Sequence, residues 1–393
     1  MIKANMINQP RRLKQWLVIG ALSILAGCAV VPKGPPKTVE APPPVIDTPT
    51  TPQLPTDVAR HRIALLVPMS GANAGVGEAI ANSATMAVLD TGGKTVRITT
   101  YDTATGATAA AQKAIADGNK LILGPLLAED VRTVSIVGRA AKIPLISFSN
   151  DISVAGNGTY LMGFVPTQSI DRVVGHARAA GMLRFAGLIP NGLYGQRASA
   201  ALLRSVQAAG GQVVSMQNFD RSAGSITAAI NKMAQSSAYD AVLIADSGRV
   251  ALQAVPIIRR SGGAKARIIG TELWNTESSL SQSPVMQGAW FASVSDSLYT
   301  KLAAKYRTRF GKSPYRLGSL GYDAVLLINN VAPRWKVGTA FPTNLLVDSG
   351  GFDGIDGAFR FGRDGVAERA LEVQQVNPAG FTVVAAAPRA FGK

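Results

Sequence analysis

The sequence predicts an α/β protein of two lobes, each a doubly wound parallel sheet with helices on both faces. Three observations carry this prediction. Apolar runs of five to seven residues alternate with Ala-rich helical patterns from Val58 onward, the pattern of parallel strands buried on both sides. The alternation restarts after Tyr160–Pro166, so two such units follow one another. The roughly 335 residues from Val58 also exceed what one small core organises, and they suffice for two lobes.

Taken in order, residues 1–27 read as a secretory signal peptide. Arg11, Arg12 and Lys14 give a positive start, and Trp16–Ala26 is an apolar stretch too short to span a bilayer as a stable helix. Small residues Ala26 and Gly27 then lead into Cys28, the only cysteine of the chain. A lone cysteine has no disulfide partner and no second thiol for a metal site. It is a buried apolar thiol, a reactive nucleophile or a modification site, and its surroundings select the third. Leu25-Ala26-Gly27-Cys28 resembles the bacterial lipobox, in which the cysteine is lipidated and becomes the mature N-terminus. Each buried CH₂ adds about 0.8 kcal/mol of membrane affinity, so one chain holds only marginally. The two or three acyl chains implied by the resemblance, palmitate among them, would hold firmly. Ala29 stands where the resemblance would associate Asp with inner-membrane retention, which points to an outer-membrane anchor facing the periplasm.

Residues 28–57 form the lipid site and a linker, and nine of the 22 prolines lie between Ala29 and Asp57. Such a stretch cannot bury a core and favours polyproline II at about 3.1 Å per residue, a reach of roughly 90 Å. The net charge is +16, and without residues 1–27 the chain keeps 36 basic residues against 24 acidic ones. Nucleic acid is not the expected partner. Export removes the chain from it, and the basic residues are scattered without a run of five or more. A bland basic surface is the first expectation, with lipid headgroups or cell-wall carboxylates as the acidic neighbours otherwise.

In the first unit, "RIALLVP" (Arg62–Pro68) is a strand, Gly77–Leu89 a helix and "TVRITTYD" a strand. "ATAAAQKAIADG" is a helix closed by Gly118, "KLILGP" a strand, "AEDVRTVSIVGRAAK" a helix and "IPLISFS" a strand. The second unit opens with a helix from Thr167 to Ala180. "FAGLIP", "GQVVSMQNF", "YDAVLIAD" and "ARIIGTE" are its strands, separated by helices over 196–209, 226–235 and 249–260. "SLYTKLAAKYRTRFG" and "YRLGSLGYDAVLLINNVA" predict two amphipathic helices. The tail from Gly350, with "FDGIDGAFRFGRDG" and "ERALEVQQV", predicts strands and hairpin turns. The expected division is a first lobe over 60–165 plus 295–345 and a second over 166–294 plus 346–393.

From about Arg60 to about Val384, blocks such as "YDTATGATAAAQKAIADGNKLILGPLLAEDV" and "RFAGLIPNGLYGQRASAALLRSVQAAGGQVV" resemble the type I periplasmic binding fold of the leucine-binding protein superfamily. Within it, "GPLL" (Gly124–Leu127), "MGFVPTQSIDRVVGHARAAG" and "RLGSLGYDA" resemble the penicillin-binding protein activator lipoproteins. The resemblance implies an outer-membrane lipoprotein that reaches through the cell wall and stimulates a peptidoglycan synthase, its partner being a penicillin-binding protein. The best-known activators carry a helical-repeat domain where this chain has its proline-rich linker. The alternative is a solute-binding lipoprotein feeding an ABC importer for amino acids or related small molecules. A structural spacer is a third reading.

A solute receptor requires a cleft, and the resemblance implies its residues. In amino-acid binders of this fold, hydroxyls and backbone N–H groups hold the ligand carboxylate, and an acidic residue in the second lobe holds the ammonium. Ser70, Ser147, Ser149, Tyr194 and Glu272 stand at the matching positions. Leu126-Leu127-Ala128 replaces a serine-rich turn and offers no side-chain donor, which disfavours a free amino acid and leaves either a vestigial cleft or one that holds something more apolar. For an enzyme the sequence offers little. His61 and His176 are the only histidines, and no His/Cys/Asp set has metal spacing. Gly71–Ala79 lacks the spacing of a dinucleotide loop, and "GLYGQ" is not a nucleophile elbow. A non-enzymatic protein without catalytic residues, metal or cofactor is expected.

Overall fold

A computed structural model describes residues 59–275, 277–388 and 391. The predicted signal peptide, Cys28 with its lipid, and the proline-rich linker lie outside the described residues. The chain runs β1 (His61–Val67), α1 (Ala74–Asp90), β2 (Val96–Asp102), α2 (Ala107–Ala116), β3 (Leu121–Leu123), α3 (Ala128–Ala140), β4 (Leu145–Ser147) and β5 (Thr159–Leu161). These five strands form one parallel sheet in the order β2-β1-β3-β4-β5. β1 pairs on both edges, from His61 opposite Val96 to Val67 opposite Asp102, and from Ile63 opposite Leu121 to Leu65 opposite Leu123. Successive strand side chains point to opposite faces, so Ile63, Leu65 and Val67 enter one core while Ala64 and Leu66 enter the other. That two-sided burial is why the strand reads as an unbroken apolar run.

The second unit comprises α4 (Pro166–Ala179), β6 (Arg184–Pro190), α5 (Leu193–Ala208), β7 (Gln212–Phe219), α6 (Ala223–Ala234), β8 (Ala241–Ile244), α7 (Gly248–Arg260), β9 (Arg267–Gly270) and β10 (Trp290–Ser293). β10 is not among the predicted strands; it pairs parallel to β9. α4 and α5 cover one face of this sheet, and α6 and α7 the other. The chain then returns through α8 (Ser297–Phe310) and α9 (Gly318–Val331), and it ends in β11 (Phe352–Gly354), β12 (Gly357–Phe361), β13 (Ala367–Arg369), β14 (Glu372–Asn377) and β15 (Gly380–Ala385). β14 and β15 add antiparallel to β10, giving a seven-stranded sheet β15-β14-β10-β9-β8-β6-β7.

The expected division assigns all of residues 346–393 to the second lobe, and the structure corrects this. β11–β13 form a small antiparallel sheet whose Phe352, Phe359, Phe361 and Ala367 pack into the first core with Leu320 and Ala324 of α9. The first lobe therefore reaches Arg369, and only β14 and β15 join the second. The chain crosses between lobes three times, after β5, after β10 and between β13 and β14.

α1 and α9 lie back to back, and glycine permits it. A Cβ on Gly321 would stand 2.2 Å from the carbonyl oxygen of Ile80. Gly321→Ala gains about 1 kcal/mol of helix propensity, but overpacking against rigid backbone costs about 3 kcal/mol. A net loss of about 2 kcal/mol is expected, read as a lower denaturant midpoint at unchanged slope. An unchanged or raised midpoint would show that the two helices part freely.

Candidate functional site

The crossings form the floor of a cavity of about 440 Å³ between the lobes. Phe164 and Val165 contribute from the first crossing, Val294 from the second, and Leu371 from the third. The first lobe adds Val76, the Leu126-Leu127 pair after β3, and Phe148 after β4. The second adds Ser169 of α4 and Glu272 and Leu273 after β9. The turn after β3 is pulled close to β1: Gly124 has φ +98°, and a Cβ there would stand 2.1 Å from the carbonyl oxygen of Leu66. This places Leu127 at the start of α3 without any side-chain cap, its apolar side chain lining the cavity.

Glu272 is the anionic group of the second lobe. Its Oε2 accepts from Ser169 Oγ, and its Oε1 accepts from the Tyr194 hydroxyl at 3.1 Å. Tyr194 also bonds Thr271 at 3.0 Å. Burial pushes the Glu272 carboxyl above its ordinary value. Burial, then the Glu272 charge, pushes the Tyr194 hydroxyl well above its own.

Of the residues singled out from sequence, Glu272 lines the cavity. Tyr194 and Ser149 line an adjoining groove of about 300 Å³ with Leu127 and Arg197. Ser147 is buried, donates to the Pro125 carbonyl oxygen at 2.8 Å and accepts from the Ser149 N–H at 3.0 Å, so it builds the turn. Ser70 is exposed and donates to Asp102 at 2.8 Å. Both histidines pack against tryptophan: His61 stacks on Trp335 at 3.8 Å, and His176 meets Trp290 edge-on at 4.6 Å. No group of three His, Cys, Asp or Glu among the described residues is placed to hold a metal. No described helix is long and apolar enough to cross a membrane.

The sequence pattern did not single out the other charged groups of the cavity, Arg316 and Arg369, which also line it. Arg316, just before α9, donates through Nη1 to Asp356 Oδ1 at 2.6 Å and to Ser319 Oγ at 2.8 Å, and its guanidinium lies 4.0 Å over Tyr299. Asp323 of α9 accepts the Ile355 N–H at 2.6 Å and so holds the turn between β11 and β12. Arg369 of β13 donates to the Met162 carbonyl oxygen at 2.6 Å and is flanked by Phe164 and Phe359. Asp323 is pushed up to about 7, by burial first and the Asp356 charge second.

A second arrangement joins the lobes at the rim. Asp151, after β4, pairs with Arg197 of α5 across the cleft and with Arg132 of α3 at 3.1 Å within its own lobe. Burial opposes ionisation of Asp151, but hydrogen bonds from Ser153 and the Arg197 charge hold its carboxyl below the ordinary value.

The chain belongs to the periplasmic binding protein family, whose profile matches residues 61–381. A curated relative, an uncharacterized protein of Rickettsia prowazekii, is 28% identical over 142 residues, which is 36% of this chain and 38% of that protein's length. The leucine-binding protein of Thermotoga maritima superposes with a TM-score of 0.62 at 18% identity, covering 84% of this chain and 99% of that one. The C-domain of Haemophilus influenzae LpoA, a regulator of PBP1A, superposes with a TM-score of 0.64 at 19% identity, covering 82% and 99%. At these identities the likeness is one of fold.

Two expectations follow from the site. Arg197→Ala removes a charged hydrogen bond worth on the order of 1–3 kcal/mol, and Asp151 keeps Arg132. The open arrangement gains population, and small-angle scattering shows a larger radius of gyration; an unchanged radius would mean that the pair does not hold the lobes. Asp323 titrates higher in the folded chain than its ordinary 3.8, so the folded state binds the proton more tightly. Its contribution is fully present below about pH 4 and is lost as pH rises to about 7. Asp323→Asn sacrifices bonds to the turn at every pH but flattens this loss, so the gap in denaturant midpoint between wild type and variant narrows from pH 4 to pH 7. A gap constant across that window would remove Asp323 as the titrating group.

Proposed function

We propose that this member of the periplasmic binding protein family is a lipid-anchored, non-enzymatic envelope protein that regulates a peptidoglycan synthase of the penicillin-binding class. The observation that carries this reading is a convergence. The three blocks that resemble the activator lipoproteins lie far apart in sequence, yet they meet at one cavity. "GPLL" supplies Leu126 and Leu127, "MGFVPTQSI" supplies Phe164, Val165 and Ser169, and "RLGSL" supplies Arg316 and Leu317. In this reading Cys28 is the anchor, the linker gives reach, and the lobes present the docking surface. Regulation then requires only that the synthase bind one arrangement of the lobes more tightly than the other. A difference of 1.4 kcal/mol favours that arrangement tenfold.

The second reading, a solute-binding lipoprotein of an importer, is favoured by Glu272, which lines the inter-lobe cavity, and by the Asp151–Arg197 pair that joins the lobes in the adjoining groove. Deletion of the gene separates the two. The regulatory reading expects slower incorporation of a labelled D-amino acid into the cell wall and unchanged uptake of leucine and other amino acids. Wild-type chain restores incorporation, and Cys28→Ala does not. Lost uptake with a normal rate of wall synthesis would transfer the function to the importer.

A further inference from the structure

We propose that the first lobe docks on an anionic lipid surface through the end at which the chain enters it, the end opposite the cavity. The charge of that end carries the proposal. The anchor proposed at Cys28, covalently upstream, would concentrate the same end at a bilayer.

β1, β2, β3 and β4 run parallel, so their first residues share one end with the last turns of α1, α2 and α3. The segment after α9 joins them there, where Trp335 stacks on His61. The opposite strand ends lead to Leu126, Leu127 and Phe148 at the cavity. The entry end carries Lys94, Lys120, Arg139, Lys142 and Lys336. Each acidic residue along these segments is already paired: Asp90 with Lys305, Asp117 with Lys113 at 3.3 Å, and Asp348 with Arg334 at 3.9 Å. Among the described residues, no ion pair uses any of the five cations. The four helix ends carry about half a negative charge each, so a surplus of about three positive charges remains. The matching end of the second lobe is basic too, but it spends its charge internally. Arg178, Arg259 and Arg267 donate to backbone carbonyl oxygens, and Arg184 pairs with Asp240.

The surface among these cations is recessed and partly apolar. One recess of about 340 Å³ lies among Arg60, Arg62, Lys120 and Trp335, and the exposed Val337 also lines it. A second, of about 250 Å³, lies among Arg139, Lys142 and Phe341. Trp335 and Phe341 meet edge-on at 5.0 Å, so the two recesses belong to one face. Each lysine or arginine near an anionic bilayer favours binding, and the attraction fades within a Debye length. Val337 and the two rings add an apolar contact that lipid can use and the carboxylates of a cell-wall polymer cannot. Seated by this end, the first lobe turns its wall of the cavity away from the bilayer.

Vesicle co-sedimentation of the full-length chain tests this. Every protein carries Cys28→Ala, so no lipid is attached and the outcome is independent of the proposed anchor. The probes are vesicles of phosphatidylcholine with an equal part of phosphatidylglycerol, and vesicles of phosphatidylcholine alone. Lys94→Glu, Lys142→Glu and Lys336→Glu together are expected to weaken binding to the anionic vesicles about tenfold or more. Lys232→Glu, Arg260→Glu and Lys265→Glu together make the same charge change on the second lobe and are expected to alter it less than about twofold. All six positions are exposed, so both variants are expected to unfold at the parent's temperature. Equal losses from the two variants would make net charge the cause and overturn the docking face. Equally tight binding to the uncharged vesicles, or no binding to either, would overturn it as well. Retention on purified peptidoglycan that the first variant weakens, with vesicle binding unchanged, would give the face to the cell wall instead.

Discussion

The ion pair between Arg316 and Asp356, with Ser319 Oγ bonded to both, ties the start of α9 to the turn between β11 and β12, and the inter-lobe geometry passes through that tie. One helical turn further on, Asp323 holds the same turn by its backbone. The small sheet is thereby fixed to α9 and, through α9, to α1 and the first core. Its last strand carries Arg369 and leads directly into β14 of the other sheet. A buried ion pair is not in itself a source of stability, because desolvation offsets much of the attraction. Its contribution here is positional: it fixes where the third crossing leaves the first lobe.

The second lobe answers from α4. Gln168 accepts from the N–H of Arg369 and donates to the carbonyl oxygen of Ala367, so it pairs with the edge of β13 that β12 leaves open, much as a neighbouring strand would. Arg172, one turn later, bonds the carbonyl oxygens of Leu371 and Ala386. The Gln168 bonds cross from one lobe to the other at the hinge, and Asp151 with Arg197 joins the lobes at the rim. Between them lies a wall rich in leucine and phenylalanine, to which Glu272, Arg316 and Arg369 bring the charged groups.

Most of the fold was legible because two-sided burial leaves a plain mark. β1, β6 and β8 are short apolar runs between turn residues, and the Ala-rich helices repeat between them. Allegiance was harder to read. Phe352, Phe359 and Phe361 alternate as any half-buried hairpin does, and nothing in that period tells which of two cores will receive them. β10 is four residues long and lacks a helix before it, so no alternation announced it. At the site, Glu272 came from resemblance. Ser70, Ser147 and Ser149 are the right residue type, but turn chemistry claims their bonding capacity locally. Arg316, Arg369 and Gln168 come together only through tertiary folding across some 200 residues, and a charged residue before a helix or at a strand end looks in sequence like solvated surface.

The place where the chain enters the described fold has a mechanical consequence. His61 opens β1, which lies inside its sheet with parallel partners on both edges. Tension arriving from the N-terminal side pulls along the strand axis, at right angles to its hydrogen bonds. The bonds to β2 and β3 must then slide together in shear, where a terminal hairpin would peel open one pair at a time. Force applied at the N-terminal end of β1 is thus taken up by both neighbouring strands at once.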